Sequence, residues 1–324
     1  MATLPRRRRL LAGLLGLASP LLLGGCVQRL FFYPDQLTYT TPEQEQVQAE
    51  DVFFDAEDGS RLHGWWMPAL ATAAAGQAWR AGVPPSPTCT VVHAHGNAAN
   101  ISNHLPVVSW LPAMGVNVLM FDYRGYGRSA GQPTLDGVVS DIQSALRAAG
   151  RQPGVQADHL VMFGQSLGGA SAIRAVQRSP AGTVRGLIVD SAFASYRGIG
   201  RHAAQQSRLL SALAPVLLPW LPPTADDPVQ AIASLTVPVW IMHGQADLVI
   251  PFAHGHQLFV AASSPKQLLT VPDGGHIDAL RRPEFRQRFL KALSDACGSP
   301  HIGPGPGQEA TPSTASEVAP PDAR

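Results

Sequence analysis

The sequence predicts an α/β domain: one doubly wound, mostly parallel sheet with helices on both faces. Three observations predict it. Short apolar runs alternate with stretches of helical periodicity, as in a parallel sheet flanked by helices. From residue 89 onward each run is rich in Val, Leu, Ile or Phe and ends in small or polar residues. The stretch before them, VFFDAEDGSRLHGWWMP, has two strand-like halves joined by a turn containing Asp58 and Gly59, which predicts an antiparallel hairpin at one sheet edge.

In order, the parallel strands are expected in CTVVHAHG, VNVLMFDYRG, HLVMFGQS, RGLIVDSA, VPVWIMHGQAD and KQLLTVPDGG, with helices around 101–113, 135–149, 167–179, 254–262 and 283–296. Three segments break the alternation. Residues 69–88, rich in Ala, Gly and Pro, read as a flexible insertion. Residues 298–324 hold almost no large apolar side chain to offset their ordering entropy, so a disordered tail is expected. Residues 193–236 carry Leu209, Leu210, Leu213, Val216, Leu217, Leu218, Trp220 and Leu221, and predict a small helical lid, the alternative being a longer surface helix on the sheet.

The 324 residues are 45% apolar, enough for a substantial core, and 24 Lys and Arg against 23 Asp and Glu give a net charge of +1. That balance gives no electrostatic footprint for nucleic acid. The exception is Arg6 to Arg9, followed by the apolar run Leu10 to Leu23, then Gly24, Gly25 and Cys26. LGGC resembles the lipobox of bacterial lipoproteins, which implies a signal peptide over 1–25, a lipidated Cys26, and an anchor and linker over 26–50 ahead of a domain at 51–297. The apolar run is shorter than the roughly 20 residues that span a bilayer and is interrupted by Pro20, which disfavours an uncleaved helical anchor. A plain secretory peptide and, from the paired arginines, twin-arginine export are further alternatives. Gln28 lacks the acidic signal associated with inner-membrane retention in some bacteria, so the outer membrane is expected ahead of the inner membrane, which is the alternative. Cys89 and Cys297 could pair in such a compartment or remain separate thiols, and neither has metal-ligand spacing, so no metal site is expected.

The chemistry centres on GQSLGG, residues 164–169, between a predicted strand and a predicted helix. That context suits a nucleophile elbow, in which Ser166 projects from a sharp corner and the Leu167 amide faces a developing oxyanion. A serine hydroxyl needs a base held in the right tautomer. Asp247, in HGQADLVIP, and His276, in PDGGHIDAL, follow successive strands in the order Ser, acid, His. Asp190, ending the strand RGLIVDSA, is the rival acid; His93, His95, His254 and His256 do not hold the position of the base. Asp122, in FDYRGYGRS, is expected to fix a loop. In AHGNAAN, the amide of Asn97 is the expected second oxyanion donor, with Ala98 the neighbouring alternative.

With FFYP, HAHGNAAN, FDYRGYGRSAGQPT, GQSLGG, HGQADLVIP and GGH, the stretch from about residue 28 to 292 resembles bacterial membrane-anchored α/β-hydrolases related to the monoacylglycerol and lysophospholipid lipases. The resemblance implies an α/β-hydrolase fold with an eight-stranded sheet, a serine esterase triad of Ser166, Asp247 and His276, and no cofactor. The expected reaction is hydrolysis of medium-chain or monoacyl-lipid-like esters. The alternatives are a serine peptidase, a thioesterase, and a surface-binding lipoprotein without catalysis. An epoxide hydrolase or dehalogenase is disfavoured because those reactions use a carboxylate where Ser166 stands.

Overall fold

The computed structural model describes residues 31–70, 89–263 and 265–298. The expected signal peptide, Cys26, residues 71–88 of the insertion and the tail beyond Gly298 lie outside the described residues.

The hairpin forms from β2 (Glu50–Asp55) and β3 (Arg61–Met67), preceded by a short β1 (Tyr33–Pro34). Then come β4 (Thr90–Ala94), β5 (Ala98–Ala99), β6 (Asn117–Phe121), β7 (Leu160–Gln165), β8 (Gly186–Asp190), β9 (Val239–Gly244) and β10 (Lys266–Val271). Eight of them make one sheet in the order β10-β9-β8-β7-β4-β6-β3-β2. Six strands run parallel, and the hairpin closes one edge antiparallel, with β3 pairing β6. Every residue of β4, β6, β7, β8 and β9 is buried, as for strands covered on both faces.

The helices are α1 (Ile101–Val108), α2 (Leu135–Ala149), α3 (Leu167–Arg178), α4 (Tyr196–Gln205), α5 (Arg208–Leu217), α6 (Pro228–Ile232), α7 (Phe252–Ala261) and α8 (Pro283–Gly298). Side chains along each strand alternate between two cores. Val92, Met162, Leu187 and Ile241 pack with Val138 and Ile142 of α2, Ile173 of α3 and Leu258 of α7. Their neighbours Val91, Val161, Ile188 and Met242 pack instead with Leu105 of α1 and Phe289 of α8. A disulfide between Cys89 and Cys297, with Cα atoms 5.9 Å apart, ties the start of β4 to the end of α8.

Residues 31–50, read from the sequence as anchor and linker, belong in the structure to the folded domain. Phe32 is buried in the first core, and β1 pairs in parallel with β5. Long-range side-chain bonds hold this strap: the Asn100 carboxamide donates to the Asp35 carboxylate and the Leu37 carbonyl, both at 2.8 Å, and Tyr39 N donates to Ser102 Oγ at 3.0 Å.

Strand order reverses around β4, which is flanked by β6 and β7. The crevice at the carboxyl ends of these strands is where doubly wound sheets bind ligands.

Candidate active site

Ser166 sits between β7 and α3 with φ 53° and ψ −119°, in the positive-φ region that residues with a Cβ rarely adopt. Two glycines permit the corner. A Cβ on Gly164 would lie 2.6 Å from the Gly168 carbonyl oxygen, and one on Gly168 would lie 2.3 Å from the carbonyl oxygens of Ala94 and His95. Ser166 N donates to the Asp190 carbonyl at 2.9 Å, bracing the corner against the end of β8.

His276, in the loop after β10, places Nε2 3.0 Å from Ser166 Oγ. Its Nδ1 lies 2.8 Å from Asp247 Oδ2 in the loop after β9. The other Asp247 oxygen accepts the amides of Val249 and Ile250 at 2.9 and 2.8 Å. Burial opposes ionisation of Asp247, but the hydrogen bond and charge of His276 together with those two amides outweigh it and hold the carboxyl below its ordinary pKa. The Asp247 side chain is fully buried, whereas the imidazole of His276 retains 20% exposure, so the ring reaches the cavity and the carboxylate does not.

The rival acid lies differently. The Asp190 carboxylate receives Gln165 Nε2 at 3.2 Å and meets Ser191 Oγ at 3.4 Å, while His276 is bonded to Asp247. Burial pushes Asp190 up to about 7, against the opposing Gln165 hydrogen bond. The other histidines have their own partners. His93 binds Gln165 and is lowered to about 3 by burial, His95 binds the Gly96 carbonyl, and His254 accepts the Ala194 amide and is lowered to about 4 by burial. His256 is exposed on α7. Asp122 ties a loop as its sequence context suggests, accepting the amides of Ile101 at 2.9 Å and Arg128 at 3.3 Å.

Asn97, Ala98 and Leu167 line one cavity of about 640 Å³ together with Ser166 and His276. Leu167 opens α3, where an amide has no earlier carbonyl within the helix to bond. Apart from Asn103 and His104, the rest of the lining is apolar and comes mostly from the 193–236 segment, including Phe193, Ile199, Leu210, Leu217, Leu218 and Leu221. Helices α4 and α5, capped by Ser195 and Ser207, border the cavity.

Phe31 and Tyr33 of the strap also line the cavity, a role the sequence reading did not assign them. The Asn97 carboxamide holds them there, donating to the Phe31 carbonyl and accepting from Tyr33 N at 3.1 Å and Tyr126 Oη at 2.9 Å. The signal available in the sequence was FFYP itself, a motif without strand or helix periodicity. Among the described residues no group of three or more His, Cys, Asp or Glu side chains is placed to hold a metal ion, and no helix is long and apolar enough to cross a membrane.

An eight-stranded hydrolase-type sheet, a serine at the strand-to-helix corner and an imidazole and carboxylate on the following strand ends define a class, and the chain belongs to the α/β-hydrolase superfamily. Residues 85–233 match the family described as "Serine aminopeptidase, S33". The chain is 39% identical over 253 residues to the YfhR protein of Escherichia coli (strain K12), covering 77% of this chain and 80% of that protein. It is 27% identical over 211 residues to the human α/β hydrolase domain-containing protein 17B, covering 65% of this chain and 68% of that one. The solved structure of the Pyrococcus furiosus esterase Pf2001 superposes with a TM-score of 0.63 at 20% identity, covering 82% of this chain and all of that chain.

Proposed function

We propose that the protein is a serine hydrolase that cleaves carboxylic esters with medium-length or single acyl chains through an acyl-enzyme. The observation that carries this reading is the relay from Asp247 Oδ2 to His276 to Ser166 Oγ, at 2.8 and 3.0 Å, opening into the apolar cavity. Ser166 Oγ attacks the ester carbonyl carbon as His276 Nε2 takes the hydroxyl proton, and Asp247 keeps Nδ1 protonated and stabilises the imidazolium. The amides of Asn97 and Leu167 receive the oxyanion. Collapse expels the alcohol, which takes the proton from His276; water, deprotonated by the same imidazole, then releases the acid.

The lining of the cavity favours esters over aminopeptidase substrates. A free α-ammonium group desolvated there would need a carboxylate partner, and no Asp or Glu lines the cavity among the described residues. In this reading α4 and α5 act as the acyl-binding roof. Export as a lipoprotein acylated at Cys26 belongs to the same proposal. The Cys89–Cys297 disulfide supports it, since such bonds persist in oxidising compartments.

The test is a panel of p-nitrophenyl esters graded from two to sixteen acyl carbons, beside aminoacyl and peptidyl anilides. Turnover should peak at intermediate chain length and fall by about 10³-fold or more in Ser166→Ala. Anilide cleavage without ester turnover, or full activity in Ser166→Ala, would overturn the assignment.

A further inference from the structure

Helix α5 carries two apolar stripes where a surface helix ordinarily has one. Leu210, Ala214 and Leu217, at i, i+4 and i+7, line the cavity. Leu209, Leu213 and Val216, at the same spacing one position earlier, are 69%, 42% and 64% exposed, and no residue of the helix is fully buried. The exposed stripe is not isolated. Tyr33 and Val249 line the same cavity while remaining largely exposed, and Leu248, among the described residues the most exposed large apolar one, adjoins Val249. His202 of α4 bonds the Leu248 carbonyl at 3.0 Å, joining the helices to that loop. The mouth above Ser166 is thus bordered by an apolar surface.

From this geometry we infer that the exposed stripe of α5 and the adjoining rim at Leu248, Val249 and Tyr33 form a docking face for an anionic lipid bilayer, with the cavity opening toward the acyl chains. Charge selects this occupant. Arg201 of α4 and Arg208 of α5 are exposed, and from Ser191 to Ala225 the chain has no Asp or Glu, although the whole chain carries only +1. Apolar side chains beside basic ones without acids match the interface of a bilayer with anionic headgroups. A second copy docked through a two-fold axis would instead bring like-charged segments together. The chain also enters the described structure at Phe31, on the wall of this cavity. Five residue steps separate Phe31 from Cys26, a reach of at most about 18 Å. A lipid carried on Cys26 would therefore hold this face close to the membrane. The docking face stands without the hydrolytic reading; only the identity of what enters the cavity rests on it.

The test uses the full chain in vesicles of phosphatidylethanolamine and phosphatidylglycerol, with photoreactive benzoylphenylalanine replacing Leu213 and, separately, Lys291 of α8, which does not border the cavity. Phospholipid adducts at position 213 and not at 291 are expected. Adducts to a second copy or to another part of the chain at position 213, or no lipid adduct there, would overturn the proposal. A second measurement separates it from the esterase reading. Leu213 and Val216 do not line the cavity, so the double variant Leu213→Glu, Val216→Glu should hydrolyse a soluble two-carbon ester at the parental rate. Its KM for a vesicle-borne monoacyl ester should rise about tenfold, a loss of 1.4 kcal/mol in binding. An unchanged KM in that variant would also reject the docking face, whether or not the ester is the natural substrate.

Discussion

Asp190→Asn should stabilise the protein increasingly as pH rises, while leaving the triad chemistry in place. The Asp190 carboxyl is fully buried, and burial raises its pKa to about 7. An unfolded aspartate titrates near 3.9, so between these values the folded state binds the proton more tightly than the unfolded state does. Stability therefore falls as pH rises through that window, by at most about 1.4 kcal/mol per pH unit, and levels off above pH 7. Integrating between the two pKa values, the ionisable carboxyl costs about 1.5 kcal/mol at pH 5 and about 4 kcal/mol at pH 8. An asparagine removes this dependence and can still accept from Gln165 through its carbonyl oxygen. Urea unfolding at pH 5 and pH 8 should show the variant's advantage growing by about 2 to 3 kcal/mol. An advantage that is flat or shrinks with pH would refute the reasoning. Asp247→Asn is the contrasting variant. Asp247 has its pKa depressed and bonds His276, so the exchange should lower kcat by about 10⁴-fold through the wrong imidazole tautomer, whereas Asp190→Asn should retain most activity.

Two further predictions concern what holds the cavity walls. Cys297→Ser opens a covalent loop spanning 208 positions and should cost about 2 to 4 kcal/mol, lowering Tm by roughly 5–15 °C in calorimetry; an unchanged Tm, in the variant or after reduction, would mean that the bond does not form in the folded protein. Asn97→Ala removes the carboxamide that holds Phe31 and Tyr33 and should cost about 1 to 3 kcal/mol by urea titration. Because the proposed oxyanion donor is the main-chain amide, kcat/KM on a two-carbon ester should fall far less than in Ser166→Ala; an equal loss would make the side chain itself the donor.

Much of this was legible in the sequence because its determinants are local. Six apolar runs each contain one of the parallel strands, and the hairpin lies where its turn placed it, whereas the count of eight strands came from the family resemblance. Ser166, Asp247 and His276 were readable because each sits just beyond a strand whose apolar pattern marks its end. The strap from Phe31 to Tyr39 was not, since it is held by carboxamides of Asn97 and Asn100 more than sixty positions away. Such bonds leave no periodic mark. The two cysteines were visible, but their distance depends on how α8 packs across β4 and β7. In α5 both apolar stripes could be counted, yet only the fold distinguishes the one facing the cavity from the one facing out.

The backbone at the site explains why Asp190 stands beside the candidate acid, Asp247. Ser166, Ser191 and Ile277 all have φ between 51° and 53°, a region that side chains with a Cβ occupy only when their surroundings hold them there. The end of β8 supplies that hold on both sides. The Asp190 carbonyl receives the Ser166 amide at 2.9 Å, and Ser191 Oγ receives the Ile277 amide, next to His276, at 3.1 Å. Ser191 N in turn donates to the Met242 carbonyl of β9 at 2.9 Å. One dipeptide thereby braces the corner bearing the serine against the loop bearing the imidazole, and it can do so only at the mouth between β7 and β9. Its carboxyl is buried as a consequence, bonded to Gln165 and, through Gln165, to His93. The cost of burying a titratable group there is the cost of fixing a 3.0 Å contact between Ser166 and His276, which is why replacing only the carboxylate oxygen, and none of the main chain, should stabilise the fold without moving the site.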